Sequence, residues 1–235
     1  MSLPRFIIIV GVSIFTIRAE NTSTNDDRAG FQWKSALRQA GTFLTIQHSF
    51  RLTTEPGTRA ELRGPFVGDY LGSIKGVRGW DDGDPFLVNY IGHPFQGAVT
   101  GFIQVQNDPG YRRTQFGASR PYWESRLRAT LFAAAYSTQF EIGPVSEASL
   151  GNLGKEGTGG AGTVDLVVTP VGGLGMMVVE DALDRFVVRR IERATSNRVV
   201  RIMVRGILNP NRSFANLMRF QVPWYRDTRL GVSVP

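Results

Sequence analysis

The sequence contains no cysteine, and it has few histidines and few lysines. Without cysteine, the chain can form no disulfide bond, no thiolate metal site and no cysteine nucleophile. Its two histidines, His48 and His93, show no His-x-x-x-His spacing, so a histidine-rich zinc site is not expected. Only three of the 27 basic residues are lysine, so the formal net charge of +7 rests on arginine. With 235 residues, the chain suits one domain with a substantial core.

The apolar run at residues 6–17 is too short for a membrane-spanning helix, which needs roughly 20 residues. It follows Arg5, and Ala19 and a polar stretch come after it, as is typical of a secretory signal peptide. The alternative is a buried first strand, because residues 7–10 are β-branched. We favour export to the periplasm or to a membrane-associated site in the cell envelope. Residues 1–19 are then a signal peptide or N-terminal apolar segment, and residues 20–235 form a single helical domain.

Apolar residues recur at helical spacing along most of this domain. Residues 31–52 form an amphipathic pattern, and residues 66–74 form a shorter one. Proline directly after a capping side chain marks further helix starts at Asp84-Pro85, Thr169-Pro170 and Asn209-Pro210. Residues 164–169 and 199–204 are the best strand candidates, but both also fit a helix. The pattern predicts an all-α fold, a compact helical bundle of about six helices.

Three segments, residues 86–105, 127–140 and 164–179, are unusually apolar and rich in glycine and alanine. Small residues let helix backbones approach closely, which is how helices associate in lipid. Polar groups interrupt all three segments, so none is a clean membrane span. Two interpretations remain open, a compact soluble bundle and helical hairpins that dip into or lie against a membrane. We favour membrane association.

Polar residues form stripes along these apolar segments. The first stripe has side chains spaced four, three and four residues apart, on one helical face: Asn89, His93, Gln96 and Thr100. The second segment carries a similar row, Thr130, Ser137 and Glu141, and Asp165 lies at the start of the third. A buried polar group without a partner costs on the order of 1–3 kcal/mol. We therefore expect the two stripes to face each other inside the bundle, near Asp165.

His93 is the residue on which the functional hypotheses depend. With Glu141 or Asp165 it forms an acid–base pair, or half of a metal site, in a pocket between helices. The alternative, which we favour, is a satisfied hydrogen-bond network that fixes the register of the helices. We expect no metal and no cofactor, because the other candidate carboxylates, Glu180 and Asp184, are expected at the surface.

Arginine is concentrated in the last third of the chain, where Arg189, Arg190 and Arg193 are candidate binding residues. No aromatic interleaving or DNA-binding motif accompanies this charge, so nucleic acid is not an expected partner. A basic face beside apolar helices suits anionic lipid head groups. A solvated helix face is the alternative. The oligomeric state is left open.

Several of these residues also form longer motifs: Trp-Asp-Asp-Gly-Asp-Pro-Phe at 80–86, Asn-Tyr-Ile-Gly-His-Pro at 89–94 and Val-Asp-Leu-Val-Val-Thr-Pro-Val-Gly-Gly at 164–173. Over roughly residues 66–220 the chain resembles the bacterial family catalogued as domain of unknown function 3943. The spacing from Glu141 to Glu147 departs from the family pattern, so no role carries over to Glu147. A glutamate-bearing helix followed by an Asp-x-x-x-Thr helix is also similar to envelope proteins of the teicoplanin-resistance VanZ type. The resemblance implies a bacterial envelope location and supplies no activity.

Two functions follow as hypotheses. The first is an uncharacterised envelope protein that binds lipid or another envelope component, or that is structural. The second is a hydrolase or transferase acting on lipid or cell-wall substrate, with His93 as the acid–base group and Glu141 or Asp165 as its partner. The geometry around His93 is the observation that separates them.

Overall fold

The computed structural model describes residues 30–54, 65–77, 79–80, 82–149 and 163–229. These residues form helices and connecting turns and contain no strand, so the prediction of an all-α bundle is confirmed. The expected signal peptide or apolar segment at residues 1–19 lies outside the described residues.

The described residues contain eight α-helical segments, two of which continue from a π-helical turn. In chain order they are α1 (Trp33–Thr54), α2 (Phe66–Gly76), α3 (His93–Gln106), α4 (Arg120–Ile142), α5 (Val164–Leu183), α6 (Arg189–Ala194), α7 (Arg198–Ile207) and α8 (Pro210–Met218). The π-helical turns are Val88–Gly92, directly before α3, and Asp184–Val188, between α5 and α6.

Helix α3 is the centre of the bundle, and every residue in it except Phe95 is buried. Because α3 is buried on all sides, other helices surround it, and it packs against α5, α4, α8 and α1. Its contact with α5 is backbone to backbone, because a Cβ atom added to Gly97 would lie 1.8 Å from the carbonyl oxygen of Thr169. Gly173 on α5 meets Gly97 in the same way. The small residues noted in the sequence therefore serve close packing of these two helices.

Two helix starts are as the sequence indicates, and one is not. Helical residues begin at Phe86, directly after Asp84-Pro85, and α8 begins at Pro210, after Asn209. The predicted start at Thr169-Pro170 is wrong, because α5 begins at Val164, six residues before Pro170, and Pro170 lies inside it. The physical reason is a contact with a distant loop, because the backbone N–H groups of Thr163 and Val164 donate to the carbonyl oxygens of Gly79 and Trp80. These long-range bonds satisfy the first donors of the helix.

Both strand candidates are helical. Residues 164–169 form the first turns of α5, and residues 199–204 lie in α7. Helix α7 is capped by the Asn197 side chain, which accepts hydrogen bonds from Val199 N at 2.9 Å and from Val200 N at 3.3 Å. This cap offsets the weak helical preference of a valine-rich segment.

Candidate functional site

Three polar side chains meet where α3 begins, α4 ends and α5 begins. These are His93, Glu141 and Asp165, and one ligand-type atom from each lies within 4.8 Å of those of the other two. All three residues are buried. The expectation that the polar stripes of α3 and α4 face each other near Asp165 therefore matches the position of these three residues. We call them, together with Asp82, Glu147 and Arg51, the histidine end of the bundle.

The imidazole of His93 is held from both sides. Its Nε2 atom lies 3.3 Å from Asp165 Oδ1, and its Nδ1 atom lies 3.2 Å from Thr169 Oγ1. Thr169 is one turn after Asp165 on α5, so a single helix face contacts both ring nitrogens. Burial lowers the pKa of His93 to about 4, against a weaker opposing effect of Asp82. The imidazole is therefore neutral at neutral pH.

The pKa values of two carboxyl groups around His93 are raised rather than lowered. Burial raises the pKa of Asp165 to about 9, and a hydrogen bond with Asp82 and the charge of Asp82 add to this shift. Burial also raises the pKa of Glu141 well above its usual value, with further contributions from Glu147 and Asp165. Close carboxyl groups in a dry site cannot all ionise at once.

Asp82 is the carboxylate that stays charged. Its Oδ1 atom accepts a hydrogen bond of 2.7 Å from Asn89 Nδ2 and one of 3.0 Å from the backbone N–H of Asp84. Burial opposes its ionisation, but the hydrogen bonds from Asp165, Asn89 and the Asp84 amide hold its pKa below the usual value. At neutral pH, the group therefore consists of a charged Asp82, a protonated Asp165 and a neutral imidazole. Such a chain can hold and pass a proton.

The remaining stripe residues have mainly structural contacts. Ser137 Oγ donates to the backbone oxygen of Asp165 at 3.1 Å, which ties α4 to the start of α5. Thr100 and Thr130 donate to backbone carbonyls of their own helices. Gln96 is buried, and its Nε2 atom has no hydrogen-bond partner among the described residues. Of the predicted stripes, Asn89, His93, Ser137 and Glu141 therefore lie at or beside the cluster.

Sequence patterns do not reveal two members of the histidine end. Arg51, in the last turn of α1, forms an ion pair with Glu147, which follows α4 in a turn. Their separation of 96 residues carries no local signal. Asp82 stands out in the sequence only as a residue near the start of a helix, although it is hydrogen-bonded to the site.

The opposite end of α5 carries a second polar cluster, which we call the arginine end. Asp181 is bound by Arg126 and Arg212, and Asp184 is bound by Arg226 and Arg229. Glu192 is bound by Arg205 and Arg229. The expectation that Glu180 and Asp184 lie at the surface is wrong, because both are buried. The reason is that arginines distant in sequence, from α8 and the segment after it, cover Asp184.

Glu180 is bound in a different way. Its carboxylate accepts the backbone N–H groups of Asn211 and Arg212, at 2.7 and 3.1 Å, in the first turn of α8. Glu180 therefore caps α8 from a neighbouring helix, where the positive end of the helix dipole lies.

The predicted lipid-binding arginines occupy two environments. Arg190 and Arg193, on α6, are exposed, whereas Arg189 is half-buried and donates to Gln115 Oε1 at 2.8 Å. Arg205, from the same arginine-rich segment, is buried and paired with Glu192. The segment therefore divides into buried arginines that hold helices together and exposed ones that are free to meet solvent or a partner surface.

Large apolar side chains are exposed at four-residue spacing on three helices. We call this surface the apolar face, and it consists of Trp123, Leu127 and Leu131 on α4, Val167, Val171 and Val179 on α5, and Val199, Met203 and Ile207 on α7. Leu127 and Leu174 line a groove of about 390 Å³ between α4 and α5. Val179 and Ile207 line another, of about 490 Å³, between α5 and the start of α8. The grooves therefore connect the stripe of α4 to α5, and the stripe of α5 to the end of α7 at Ile207.

A third and larger groove lies between α1 and α4. It has a volume of about 640 Å³, and Trp33, Leu37, Leu44 and Leu131 are among its lining residues. Leu131 thus joins this groove to the apolar face. Among the described residues, one helical stretch, Val164–Ala194, is long and apolar enough to cross a membrane. Only 33% of its most apolar window is buried, so this stretch is not an enclosed core helix.

Comparison with protein-family models, with curated proteins and with solved structures found no match for this chain. The resemblance noted in the motifs around His93 therefore stays a prediction.

Proposed function

We propose that this chain is a bacterial envelope protein that binds a lipid surface through its apolar face. The observation that carries the proposal is the continuity of exposed apolar side chains across α4, α5 and α7. Soluble monomers rarely expose contiguous apolar patches larger than a few hundred Å², and larger ones mark interaction surfaces. Full burial of a valine, leucine or isoleucine side chain contributes roughly 1.5–3 kcal/mol, so several of them together support stable association.

The apolar face suits contact with lipid. Its exposed side chains lie on separate helices, and the shallow grooves between these helices can accept lipid chains. Helix α7 is strongly amphipathic. Met203 and Ile207 are exposed on its apolar side, and Arg205 is buried on the other side. Such a helix is typical of proteins that lie in a membrane interface. The exposed Arg190 and Arg193 follow α5 at one end of this surface, where they can meet anionic head groups.

We propose that α5 lies against the membrane rather than crossing it alone. Its side opposite the apolar stripe carries Asp165, Glu180 and Asp181, which contact α3, α4 and α8. Exposure of these groups to lipid tails would leave polar atoms without partners, at a cost of several kcal/mol. Helix α5 therefore has an apolar face that is exposed and a polar face that packs against the protein. This favours contact with the membrane through the apolar face alone.

The test is cosedimentation of the purified protein with vesicles of phosphatidylcholine and phosphatidylglycerol. In the face variant, Leu131→Asn, Val167→Asn and Val171→Asn are combined. The matched control combines Leu217→Asn, Val145→Asn and Val222→Asn, which are exposed and lie outside the apolar face. We expect the face variant to bind about tenfold more weakly or worse, because three apolar contacts are lost, and the control to bind as wild type.

The proposal is wrong if the wild-type protein stays soluble and monomeric without detergent and remains in the supernatant with anionic vesicles. It is equally contradicted if the face variant and its control lose the same fraction of binding. Circular dichroism of both variants checks that helix content is retained.

A second candidate function is a hydrolase or transferase acting on lipid or cell-wall material. The observation that favours it is the 3.3 Å separation of His93 Nε2 and Asp165 Oδ1, which is within reach of proton transfer. The neutral imidazole is the group that can accept a proton in this pair. The test compares the release of fatty acid or sugar from isolated envelope material by wild type and by His93→Gln. Equal release by the two proteins contradicts this function.

A further inference from the structure

The histidine end contains the chemical groups of a transition-metal site. His93 supplies an imidazole nitrogen, and Glu141 and Asp165 supply carboxylate oxygens, from three different helices. Imidazole together with carboxylate is a ligand set used for zinc and for other first-row divalent metals. The separation of 3.3 Å between His93 Nε2 and Asp165 Oδ1 is close to the roughly 3.4 Å between neighbouring ligands of a tetrahedral zinc ion.

The third ligand is close enough to complete such a site. An ion with bonds of about 2.1 Å holds ligand atoms at most about 4.2 Å apart. The ligand atoms of the three residues already lie within 4.8 Å of one another. Coordination by a tetrahedral ion, with ligand atoms about 3.4 Å apart, therefore requires a closure of up to about 1.4 Å, which rotation of the Glu141 side chain can supply.

An unpartnered buried oxygen is the independent sign that a ligand belongs here. Glu141 is 9% exposed, and its Oε1 atom has no hydrogen-bond partner among the described residues. Asp165 Oδ1, which faces His93, likewise accepts no hydrogen bond within the described part of the chain. Buried polar atoms are almost always bonded, and each exception calls for an ion, a water molecule or a functional reason. A metal ion at the centre of the three side chains accounts for both oxygens.

The charges around the three side chains also favour a bound cation. Four carboxyl groups act on one another here, Asp82, Glu141, Glu147 and Asp165. Arg51, paired with Glu147, is the cation that acts on His93 and Glu141 among the described groups. A divalent cation would offset the excess of carboxylate in a site that water reaches poorly.

The surrounding contacts orient the ligands. His93 Nδ1 contacts Thr169 Oγ1 at 3.2 Å, which leaves Nε2 directed at Asp165. In metal sites the second ring nitrogen of a ligand histidine is held in this way by an oxygen atom, which fixes the tautomer. Asp82, fixed by Asn89, contacts Asp165 and restrains that carboxylate.

We propose that His93 Nε2 and the carboxylates of Glu141 and Asp165 bind one divalent transition-metal ion, such as Zn²⁺ or Mn²⁺. This reverses the expectation from the sequence that there is no metal site. The ion links α3, α4 and α5 at their shared end, and a water molecule completes its coordination. Calcium and magnesium are disfavoured, because both prefer oxygen ligands only. The proposal is independent of lipid binding, which depends on the other side of α5.

The test uses the full purified chain after removal of metal with a chelator and dialysis. Titration with Zn²⁺ or Mn²⁺ in a calorimeter is expected to show one ion per chain, with Ca²⁺ bound at least tenfold more weakly. Titration with Co²⁺ is expected to give a visible absorption band from low-symmetry coordination. His93→Gln, Glu141→Gln and Asp165→Asn should each weaken Zn²⁺ binding by about a hundredfold or more, and Thr169→Val by about tenfold.

The matched control is Asp108→Asn, which changes a buried carboxylate far from His93 that contacts Gln104 instead. It should bind Zn²⁺ as wild type does. Circular dichroism of the metal-free variants separates loss of a ligand from loss of folding, and Thr169→Val tests the site without removing a ligand. Absence of stoichiometric Zn²⁺ binding by the folded wild type overturns the proposal. So does binding that survives in all three ligand variants, or equal affinity for Ca²⁺ and Zn²⁺.

Discussion

The two ends of α5 both bury carboxylates, but they differ in the cations beside them. At the arginine end, Asp181, Asp184 and Glu192 are bound by five arginines: Arg126, Arg205, Arg212, Arg226 and Arg229. At the histidine end, four carboxyl groups share Arg51 and a neutral imidazole. Carboxyl groups that are buried at both ends therefore have pKa values shifted in opposite directions. Arg212, Arg229 and Arg226 overcome burial and lower the pKa of Asp184, whereas the pKa of Asp165 rises to about 9.

This difference in cations indicates different roles: the arginine end holds helices together, and the histidine end is a candidate ligand-binding site. Guanidinium groups complete the hydrogen bonds of the carboxylates at the arginine end and join α4, α5, α8 and the segment after α8. At the histidine end, the carboxylate oxygens Glu141 Oε1 and Asp165 Oδ1 lack a hydrogen-bond donor among the described residues. Each such oxygen costs on the order of 1–3 kcal/mol unless a hydrogen-bond donor or a cation satisfies it. The histidine end is therefore where a ligand is expected.

The largest effect should come from neutralising one carboxylate at each end. Asp181→Asn leaves the buried Arg126, 1% exposed, without its charge partner and should lower the free energy of unfolding by about 3–5 kcal/mol. Asp165→Asn, in the metal-free protein at pH 7, should instead raise it by up to about 4 kcal/mol, because the folded wild type holds a proton on Asp165 that the unfolded chain releases. Urea unfolding measures both values. Equal losses for the two variants would remove the distinction between the ends.

Near the histidine end, α3 and α5 pack backbone to backbone at Gly97 and Thr169. Gly97→Ala places a Cβ atom against the Thr169 backbone and should cost about 1–3 kcal/mol or more, because the helices must separate. Gly175→Ala, on the same helix as Thr169, meets nothing within 4 Å and should be neutral or stabilising by up to about 1 kcal/mol. Thermal unfolding compares the two variants. A tolerated Gly97→Ala would show that the backbones are not in contact.

The pH dependence of stability should report on Glu180. Burial raises its pKa to about 7, despite the Asn211 and Arg212 amides that favour the charged form. The folded state then holds this proton more tightly than the unfolded state, so its contribution is complete below about pH 4.5 and is lost as the pH rises to about 7. Relative to Glu180→Gln, the wild type should lose about 1–3 kcal/mol over that range. Urea unfolding at several pH values measures the difference. A constant difference contradicts the raised pKa.

The smallest effect concerns the exposed arginines. Arg190→Gln and Arg193→Gln together should weaken binding to anionic vesicles by about fivefold to thirtyfold at low salt, because each arginine near a charged surface contributes about 1 kcal/mol. Stability should be unchanged, since neither side chain is buried. Vesicle cosedimentation at two salt concentrations is the measurement. If the double variant loses nothing at low salt, the exposed arginines do not contact head groups.

Local patterns predict most of the helices and the meeting of His93, Glu141 and Asp165. Four-residue spacing places each polar side chain on a helix face, and the cost of burying it alone predicts that these faces meet. Local patterns miss the start of α5, which depends on hydrogen bonds from Thr163 and Val164 to a distant loop. They also place Asp184 at the surface, because Arg226 and Arg229, which bury it, are more than 40 residues away. Spacing on one helix holds no information about such partners.

X-ray absorption spectroscopy of the Zn²⁺-loaded protein tests the central claim most directly, because it observes the ligands themselves. The account predicts one imidazole nitrogen at about 2.0–2.1 Å and carboxylate oxygens at about 2.0–2.2 Å, with the imidazole signal lost in His93→Gln. A shell of oxygen atoms alone, or an imidazole signal that persists in His93→Gln, would contradict it and leave the histidine end as a buried proton network.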